Sequence, residues 1–502
     1  MPPERRVAID LSKIKTISLE LPDIIGVKKT YSFDENDVYI DAVPLKYYPA
    51  TTEYPVCPHC HSNENVSVSE KYVRIIHDVQ YWGARCTLRL ESRYFFCSEC
   101  RKKFATPFES IEGRAGVTKR LAKKLQTKSV DLVPFLYLAD EFGIDDKTVH
   151  NVVAPYLKEQ MANLKVNLPT VIGMDEDHLH VLTGQKKDMC FVLTNPVTVE
   201  ILDILESRKK ETLEKYFSQF PLEKRLEVKA VTMDMWQVYR DVAYKYFPNA
   251  KVVADRFHVQ KNVNKAMNDT RKIIFKKIKQ EAEEDPIKKQ KILETAINFK
   301  TLRILMLKNL ESLNDDQYQD LMNWLSDYNE LFIAYNLKEI WRNKIYKAKS
   351  RKEAIAEYEA WKERIPEEET FDPFRELVVN SVDNWYSEVF NYFDFDGALT
   401  NNPTESLNQI IKRNMRIGNG YSFEMLRAKA ILGSQKRKKL RQEKQALLFE
   451  KKRKREEEEY LKELQDAEEE YMIASITAEP DEIDEFIEKE TEKRKKAKTK
   501  KK

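Results

Sequence analysis

Residues 168–260 constrain the fold more than any other part of the chain, because short apolar segments alternate there with amphipathic ones. Strands are predicted at residues 170–174, 189–193, 199–204, 228–232 and 251–254. Helices are predicted at residues 207–220 and 238–247. Three strands followed by a helix, a strand, a helix and a strand predict a mixed α/β sheet, because amphipathic helices in such a series cover the faces of the sheet.

Three carboxylates occupy positions at which such a sheet can bring them together. Asp175 directly follows the first predicted strand, and Asp234 lies just past the end of the fourth. Glu405 lies in the first turn of a predicted helix much farther along the chain. Residues at strand ends gather along one edge of an α/β sheet, and three carboxylates there suit hard divalent cations. Two such cations can activate an attacking oxygen and stabilise the leaving oxygen of a phosphodiester. The pattern therefore favours a site for phosphodiester chemistry over the alternative, in which the three carboxylates are unrelated and solvated.

Two Cys-x-x-Cys pairs precede this region and enclose a strand-rich segment, an arrangement typical of a zinc ribbon. Four thiolates at this spacing hold structural Zn2+ and stabilise small modules that lack a large core. The predicted ligands are Cys57, Cys60, Cys97 and Cys100. His59 and His61 flank the first pair and are alternative ligands, but the recurring spacing favours four cysteines. Cys86 and Cys190 lie within predicted strands and are interpreted as buried small apolar residues.

Residues 136–153 have the pattern of a helix-turn-helix, for which an ordinary helical hairpin is the alternative. The first helix is predicted to stop at Gly143, which can adopt a positive φ, and Ile144 to fill the angle between the helices. Asp145 or Asp146 would cap the second helix, whose inward residues are predicted to be Val149, Val152 and Val153. Basic residues just upstream favour DNA binding. The outward residues, which would enter a DNA groove, are Lys147, Thr148, His150 and Asn151.

The overall charge does not indicate a nucleic-acid partner, because 86 basic residues are balanced by 83 acidic ones. The charge is clustered locally instead, above all in the C-terminal tail. Residues 436–441 and 451–455 are basic, residues 456–470 are acidic and residues 493–502 are basic again. We expect this tail to be a charged helix or disordered.

Several longer motifs accompany these patterns. They are the two cysteine pairs, Ile172-Gly173-Met174-Asp175-Glu176, Met233-Asp234-Met235-Trp236 followed by Tyr239, Phe247-Pro248-Asn249-Ala250, Ala254-Asp255-Arg256-Phe257-His258-Val259 and Glu405-Ser406-Leu407-Asn408. With them the chain resembles, between about residues 30 and 435, the bacterial insertion-sequence DDE transposases that have an N-terminal zinc ribbon, a helix-turn-helix and an RNase H-like catalytic core. The resemblance implies that Asp175, Asp234 and Glu405 form a triad that binds Mg2+ or Mn2+. It also implies a helical insertion before the last catalytic helix.

The fold expected from these features is an α/β protein whose RNase H-like mixed sheet is interrupted by a helical insertion, with zinc-ribbon and helix-turn-helix modules before it. The expected domains are a β-rich zinc-binding module (1–110), a helix-turn-helix DNA-binding region (111–167), the first part of the catalytic core (168–261), the helical insertion (262–395), a region that completes the core (396–433) and a charged tail (434–502). In the first module, strands are predicted at 38–43 and 85–96, the latter with Leu88, Leu90, Tyr94 and Phe96 on one face. The tryptophans of the insertion are interpreted as helix core rather than as base-stacking platforms: Trp324, Trp341, Trp361 and Trp385.

Two further groups of residues are expected to contact DNA. Arg256 and His258 follow the last strand and would lie at the catalytic edge. The alternative is structural, with Asp255 capping the next helix and His258 packing against the sheet. The second group would neutralise phosphates near the helix of Glu405 and comprises Lys412, Arg413 and Arg416.

The combined expectation is a transposase that binds the ends of a mobile element and catalyses strand cleavage and strand transfer. A catalytically inactive, transposase-derived regulator that binds specific DNA is the alternative, although a scaffold would need none of the three carboxylates. A hydrolase site built on Asp177, His178 and His180 lacks a convincing further ligand set.

The expected partners are element ends, target DNA and further copies of the chain, in a homodimer or higher oligomer on DNA. No apolar run approaches the roughly 18 residues of a membrane helix. We therefore expect a cytoplasmic protein without a membrane partner, associated with the nucleoid in a bacterial cell.

Overall fold

The protein was analysed as a computed structural model that describes residues 16–45, 55–62, 64–113, 115–178, 189–283, 302–395, 399, 402–418 and 420–477. The chain divides into two compact units, Met1–Gln435 and Lys436–Lys502. The predicted fold class is confirmed, because the first unit contains a mixed α/β sheet, many helices and a cysteine cluster near the N-terminus.

The N-terminal part of the first unit is a six-stranded sheet. Its strands are β1 (Ile17–Leu21), β2 (Ile24–Tyr31), β3 (Asp37–Pro44), β4 (Val66–Tyr81), β5 (Ala84–Cys97) and β6 (Lys102–Ala105). They lie in the order β1-β2-β3-β5-β4, with β6 paired to β5, and only β3 and β5 run parallel. The sequence does not predict the long strand β4, because its apolar Val73 and Ile75 are exposed whereas its Asp78 is buried.

The buried face of β5 is not the same at its two ends. Leu88 and Leu90 lie in the main core of the N-terminal sheet, as predicted. Toward the end of the strand Phe95 and Cys97 are buried instead, in a small core around the cysteine cluster, whereas Tyr94 is exposed. Beyond Leu90 the buried side of the strand is therefore the one opposite the predicted face, because the cysteine knuckles cover that side there.

Three helices follow and form the predicted helix-turn-helix: α1 (Lys119–Ser129), α2 (Phe135–Phe142) and α3 (Asp146–Ala162). Gly143 ends α2 with φ +65°, and the Asp145 side chain caps α3 by accepting the Thr148 N–H. The three predicted inward valines are buried. Asp78 of β4 accepts hydrogen bonds from Arg120 Nε (2.8 Å) and Thr118 Oγ1 (2.6 Å), which anchors α1 to the N-terminal sheet.

The second sheet has five strands in the order β11-β10-β7-β8-β9. They are β7 (Val171–His178), β8 (Met189–Asn195), β9 (Glu200–Leu205), β10 (Ala230–Met233) and β11 (Lys251–Ala254), close to the predicted ranges. The strands β7, β8 and β9 are antiparallel neighbours, whereas β10 and β11 run parallel to β7. This is the RNase H-like arrangement that the resemblance implies.

Two groups of helices accompany this sheet. The first group is α4 (Lys210–Phe217), α5 (Leu222–Leu226), α6 (Gln237–Tyr246) and α7 (Arg256–Glu283). The insertion contributes a helical segment at 302–307 and then α8 (Asp315–Asp327), α9 (Asn329–Ile340), α10 (Arg351–Lys362), α11 (Asp372–Leu377) and α12 (Tyr386–Phe390). Trp341, Trp361 and Trp385 are buried and Trp324 stacks on Tyr328, so helix packing is the correct interpretation of these tryptophans.

Two more helices follow, α13 (Asn402–Ile417) and α14 (Phe423–Thr477). The first residues of α14 belong to the first unit, and its continuation from Lys436 is the described part of the second. Of the two expectations for the tail, the helical one holds as far as Thr477. Among the described residues, no helix is both long and apolar enough to cross a membrane.

Candidate active site

Three aspartates stand side by side at one edge of the second sheet. Met174 of β7 is paired with Met233 of β10, and Met233 with Ala254 of β11. The next residue on each of these three parallel strands is an aspartate: Asp175, Asp234 and Asp255. Register alone therefore gathers three carboxylates at the same level of the sheet, and all three residues are buried.

Asp175 is held from both sides. Its Oδ2 accepts a hydrogen bond from Asn408 Nδ2 of α13 (2.8 Å), and its Oδ1 accepts from the backbone N–H of Glu176 (2.8 Å). The Tyr239 hydroxyl donates to the backbone carbonyl of Asp175 (3.3 Å). The carboxylate orientation is thus set by Asn408 of α13 and by the Glu176 N–H, while Tyr239 of α6 holds the backbone of Asp175.

Asp234 lies between the other two carboxylates and beside a histidine. His258 Nε2 is 3.3 Å from Asp234 Oδ2 and 3.9 Å from Asp255 Oδ2. Within the described part of the chain, Asp234 Oδ1 is buried without a hydrogen-bond partner. Ligand atoms of Asp175, Glu176 and Asp234 lie within 4.8 Å of one another, and so do those of Asp234, Asp255 and His258. Both groups have a spacing that a metal ion can bridge.

The pKa values of the three aspartates are all raised. Burial raises the pKa of Asp175 to about 7, and repulsion by Glu176 and Asp255 adds to the effect. Burial, together with repulsion by the same neighbours and by Asp175, raises the pKa of Asp234 to about 8. Burial also raises the pKa of Asp255. A divalent cation would supply the missing charge and a partner for Asp234 Oδ1, so the residues fit Mg2+ or Mn2+.

Glu176 is already engaged by a cation of the protein. Arg208 Nη1 lies 2.7 Å from Glu176 Oε1, and the Arg208 guanidinium lies over the Trp236 ring at 4.2 Å from its centre. This contact leaves Asp175 and Asp234 as the less compensated carboxylates of the first group.

The helix α13 brings Glu405 to the same edge but not into contact with the aspartates. Thr404 is buried and its hydroxyl lies 2.8 Å from that of Thr194 in β8. Glu405 itself is exposed and lies outside both groups of close ligand atoms. Its charge nevertheless contributes to the raised pKa of Asp255, which places it within electrostatic reach of the cluster.

The predicted DNA contacts near this edge have different surroundings. Lys412 Nζ lies 3.2 Å from the buried Asp177, whereas Arg413 and Arg416 are exposed on α13. The side chain of His178 and all of His180 lie outside the described residues, so the hydrolase interpretation gains no support.

Arg256, from the same predicted set, faces the insertion. Its Nη1 donates to the Tyr392 hydroxyl and its Nη2 to the Tyr346 carbonyl (3.0 Å). The guanidinium centre is 4.3 Å from each of the two tyrosine ring centres. These contacts join α7 to the insertion, so DNA binding by Arg256 stays a prediction while a packing role is visible.

The four predicted zinc ligands form one cluster in the N-terminal sheet. Cys57 Sγ lies 3.6 Å from Cys100 Sγ, and Cys60 Sγ lies 3.5 Å from Cys97 Sγ. Zinc–sulfur bonds of 2.3 Å in a tetrahedron place sulfurs about 3.7 Å apart, so the cluster fits Zn2+. His59 and His61 are not part of this close group, and Cys86 and Cys190 are buried on strands, as interpreted from the sequence.

The predicted groove-facing residues of α3 lie on its outer side. Lys147, His150 and Asn151 are exposed, and Thr148 is half-buried. The Thr148 hydroxyl lies 3.1 Å from Asp145 Oδ2, and the His150 ring is edge-on to Phe135. The helix therefore presents three exposed polar side chains and one half-buried side chain that also supports its cap.

From the sequence, Asn408 and Tyr239 appear only as members of longer motifs without an assigned role, and Arg208 is not named. The spacing of Asn408, three residues after Glu405, places both on neighbouring positions of one helix face and could have indicated a shared site. Arg208 carries no such signal, because its contact with Glu176 depends on a loop between β9 and α4.

Two comparisons with known proteins find similar sequences. Residues 172–430, from β7 to the start of α14, match a protein-family model described as transposase. The chain is also 24% identical over 303 residues to the transposase for insertion sequence element IS1001 of Bordetella parapertussis. That alignment covers 59% of this chain and 70% of the relative.

Proposed function

The chain belongs to this insertion-sequence DDE transposase family, and on that premise we propose that it cuts the ends of a mobile DNA element and joins them to new DNA by metal-dependent phosphodiester chemistry. The single observation that carries the proposal is the row of buried aspartates on paired parallel strands. Their pKa values are raised and one of their oxygens is unpartnered, so added positive charge would stabilise their ionised forms.

The proposed metal ligands are Asp175, Asp234 and Glu405, with Asp255 as a neighbour that adds negative charge. When bound, Mg2+ or Mn2+ supplies the Lewis acidity that activates an attacking water or 3′-hydroxyl and stabilises the leaving oxygen. Asn408 holds Asp175 in orientation through its Nδ2. His258 Nε2 lies 3.3 Å from Asp234 Oδ2 and would orient that carboxylate.

DNA recognition is assigned to the N-terminal modules and to the surface of α13. We propose that Zn2+ binds the four cysteines and stabilises the sheet against which α1 packs. Lys147, Thr148, His150 and Asn151 would then face a groove. The exposed Arg413 and Arg416 would contact phosphates next to the catalytic edge, while Lys412, Arg256 and His258 would combine packing with phosphate contact.

Excision in cells tests the proposal. A marker would be placed between the DNA segments that flank the gene, and the protein supplied separately. We expect the wild type to excise or join the marker, and Asp175→Asn, Asp234→Asn and Glu405→Gln to abolish this while retaining DNA binding. Asp241→Asn is the matched control, because Asp241 is paired with Lys210 on the outside of α6.

Two outcomes would contradict the proposal. Unchanged excision in the three variants would remove these carboxylates from the reaction. If no protein moved the marker while the wild type bound the flanks, the chain would act as a DNA-binding regulator instead.

We further propose that the chain works as a dimer or higher oligomer on paired element ends. Two ends must be processed together for an element to move as a unit. A second copy would supply the second active site.

A further inference from the structure

The described part of the second unit is a helix whose side chains are almost all exposed. From Lys439 to Asp466, every side chain except that of Leu464 is exposed. Large apolar residues are among them: Leu440, Leu447, Leu448, Phe449, Tyr460 and Leu461. A long helix that exposes this much apolar surface is a candidate for association with another molecule.

The charge of this helix changes sign at one point. Between residues 436 and 455 there are eleven basic and two acidic residues, and between 456 and 470 there are nine acidic residues and one basic residue. The boundary falls between Arg455 and Glu456. Ion pairs within the helix join residues four apart, such as Lys452 with Glu456 (3.6 Å). Most residues of each block lie farther than this from the opposite block.

We propose that this helix pairs antiparallel with the same helix of a second copy, centred on the boundary between Arg455 and Glu456. In that register the basic block of each chain faces the acidic block of the other. Lys454, seven residues after Leu447, lies opposite Glu457 of the second copy, seven residues before Leu464. A parallel pair would instead place like charges together, which is unfavourable.

The apolar residues fit the same register. Leu440, Leu447 and Leu461 are separated by multiples of seven residues, so they lie on one face of the helix, and Leu464 follows three residues later as in a heptad pattern. Centring the pair on the charge boundary places Leu447 opposite Leu464 of the second copy. The register set by the charge boundary therefore also brings two leucines together.

A second copy explains the helix better than DNA does. The basic block alone could bind phosphates, but the adjoining acidic block on the same helix would repel them. Neither block explains the exposed leucines. This inference does not depend on the catalytic proposal, since it concerns only the second unit.

Sedimentation of the full-length protein tests the inference through charge reversal. We expect the wild type to dimerise and Glu457→Lys/Glu458→Lys/Glu459→Lys to weaken dimerisation on the order of 10- to 100-fold, because the altered block would then repel the basic block of the other chain. The control is Glu367→Lys/Glu368→Lys/Glu369→Lys, which reverses three exposed charges in the insertion and should dimerise like the wild type.

A complementary variant makes the test specific. Lys452→Glu/Arg453→Glu/Lys454→Glu should also dimerise poorly alone, but a mixture of the two tail variants should form heterodimers with restored affinity. Recovery in the mixture excludes misfolding as the cause of either loss. A photo-crosslinking residue at position 447 should attach to the region of residue 464 of the other chain.

Several results would overturn the inference. These are a monomeric wild type, unchanged dimerisation of the acidic-block variant, failure of the mixture to recover, or crosslinks from 447 to 447. Loss of DNA affinity in the basic-block variant without a change in dimerisation would assign the helix to DNA. If the aspartate variants lose excision but still dimerise, this inference stands and only the catalytic proposal is affected. If the protein excises the marker while it remains monomeric, this inference fails and the catalytic proposal stands.

Discussion

Asp175, Asp234 and Asp255 follow paired positions on adjacent parallel strands, so their charges meet where little water is available to screen them. The strands fix the backbone, and Asn408 fixes the orientation of one carboxylate. Without a bound cation, the folded state retains protons on these groups that the unfolded state would release. The site is therefore coupled to both pH and divalent ions.

Magnesium should stabilise the protein more strongly as the pH rises. The pKa values of Asp175 and Asp234 are raised to about 7 and 8 in the folded state. Their contribution to stability is therefore complete below pH 4 and is lost as the pH rises through these values. We expect Mg2+ to raise the melting temperature by roughly 2–8 °C at pH 8.5 and by less at pH 6. Thermal melts with and without Mg2+ measure this.

The Asp234→Asn variant is the control for this titration. It removes one of the two titrating groups and one proposed ligand, so its melting temperature should respond little to Mg2+ at either pH. An equal Mg2+ effect at pH 6 and pH 8.5 in the wild type would argue against metal binding by these aspartates.

Asn408→Ala should weaken the site without removing a proposed ligand. The substitution deletes the 2.8 Å hydrogen bond to Asp175 Oδ2 and frees the carboxylate to rotate. Loss of such supporting contacts usually lowers metal affinity or activity 10- to 100-fold, and we expect a drop of about that size in Mg2+ affinity by calorimetry. Gln409→Ala, at the next and exposed position of α13, should have no effect. Equal affinities for both variants would reject the supporting role.

At the scale of elements, the start of α14 connects two parts of the first unit. Met425 and Ala428 lie in the core of the helix-turn-helix, whereas Leu426, Ala430 and Ile431 lie in the core beside β8 and β9. Arg427 reinforces the second contact through Asp203 (2.7 Å). One short stretch of helix therefore fixes the helix-turn-helix relative to the second sheet.

Lys429→Met should loosen this connection. Lys429 is buried, and its Nζ donates to the backbone carbonyls of Ser129, Asp131 (3.4 Å) and Val133 (3.3 Å) after α1. Buried carbonyls without partners cost about 1–3 kcal/mol. We expect a lower melting temperature and faster amide hydrogen exchange at residues 129–135. Lys444→Met changes an exposed lysine and is the control; identical behaviour of the two variants would contradict the prediction.

Zinc removal should affect the N-terminal sheet selectively. We expect one zinc per chain by elemental analysis, and its loss in Cys97→Ser or after chelation, because the small core around the cysteines has little other support. DNA affinity should fall, since α1 is anchored to that sheet through Asp78. The response of the melting temperature to Mg2+ should persist. Unchanged DNA affinity of zinc-free protein would show that this module does not support the helix-turn-helix.

At the scale of the whole molecule, the sequence predicts the structure correctly where a local pattern determines it. The five strands of the catalytic sheet, the turn at Gly143 and the cysteine cluster all follow from short-range periodicity or spacing. The strand β4 was missed because its exposed face carries Val73 and Ile75. The salt bridge of Arg208 and the packing of Arg256 between two tyrosines depend on contacts between distant segments, which no local pattern records.

The boundary between the two units predicts the effect of a truncation. A chain that ends at Gln435 retains all of the first compact unit, including the residues of α14 that contact both cores. We expect its melting temperature to lie within about 2 °C of that of the full-length protein, because the removed helix buries few side chains. A chain that ends at Tyr421 should melt at a much lower temperature. Calorimetry compares the three proteins, and a large shift on removing only residues 436–502 would contradict the division.

The position of α14 also sets an order of events during synthesis. The ribosome completes the cysteine-cluster and helix-turn-helix segments early, yet Met425 and Ala428, which lie in the helix-turn-helix core, emerge only after Glu405 and Asn408. A nascent chain therefore carries an unfinished helix-turn-helix core until every proposed catalytic residue has been translated. Under the proposed function, the ability to hold an element end and the ability to cut it would be acquired almost at the same moment.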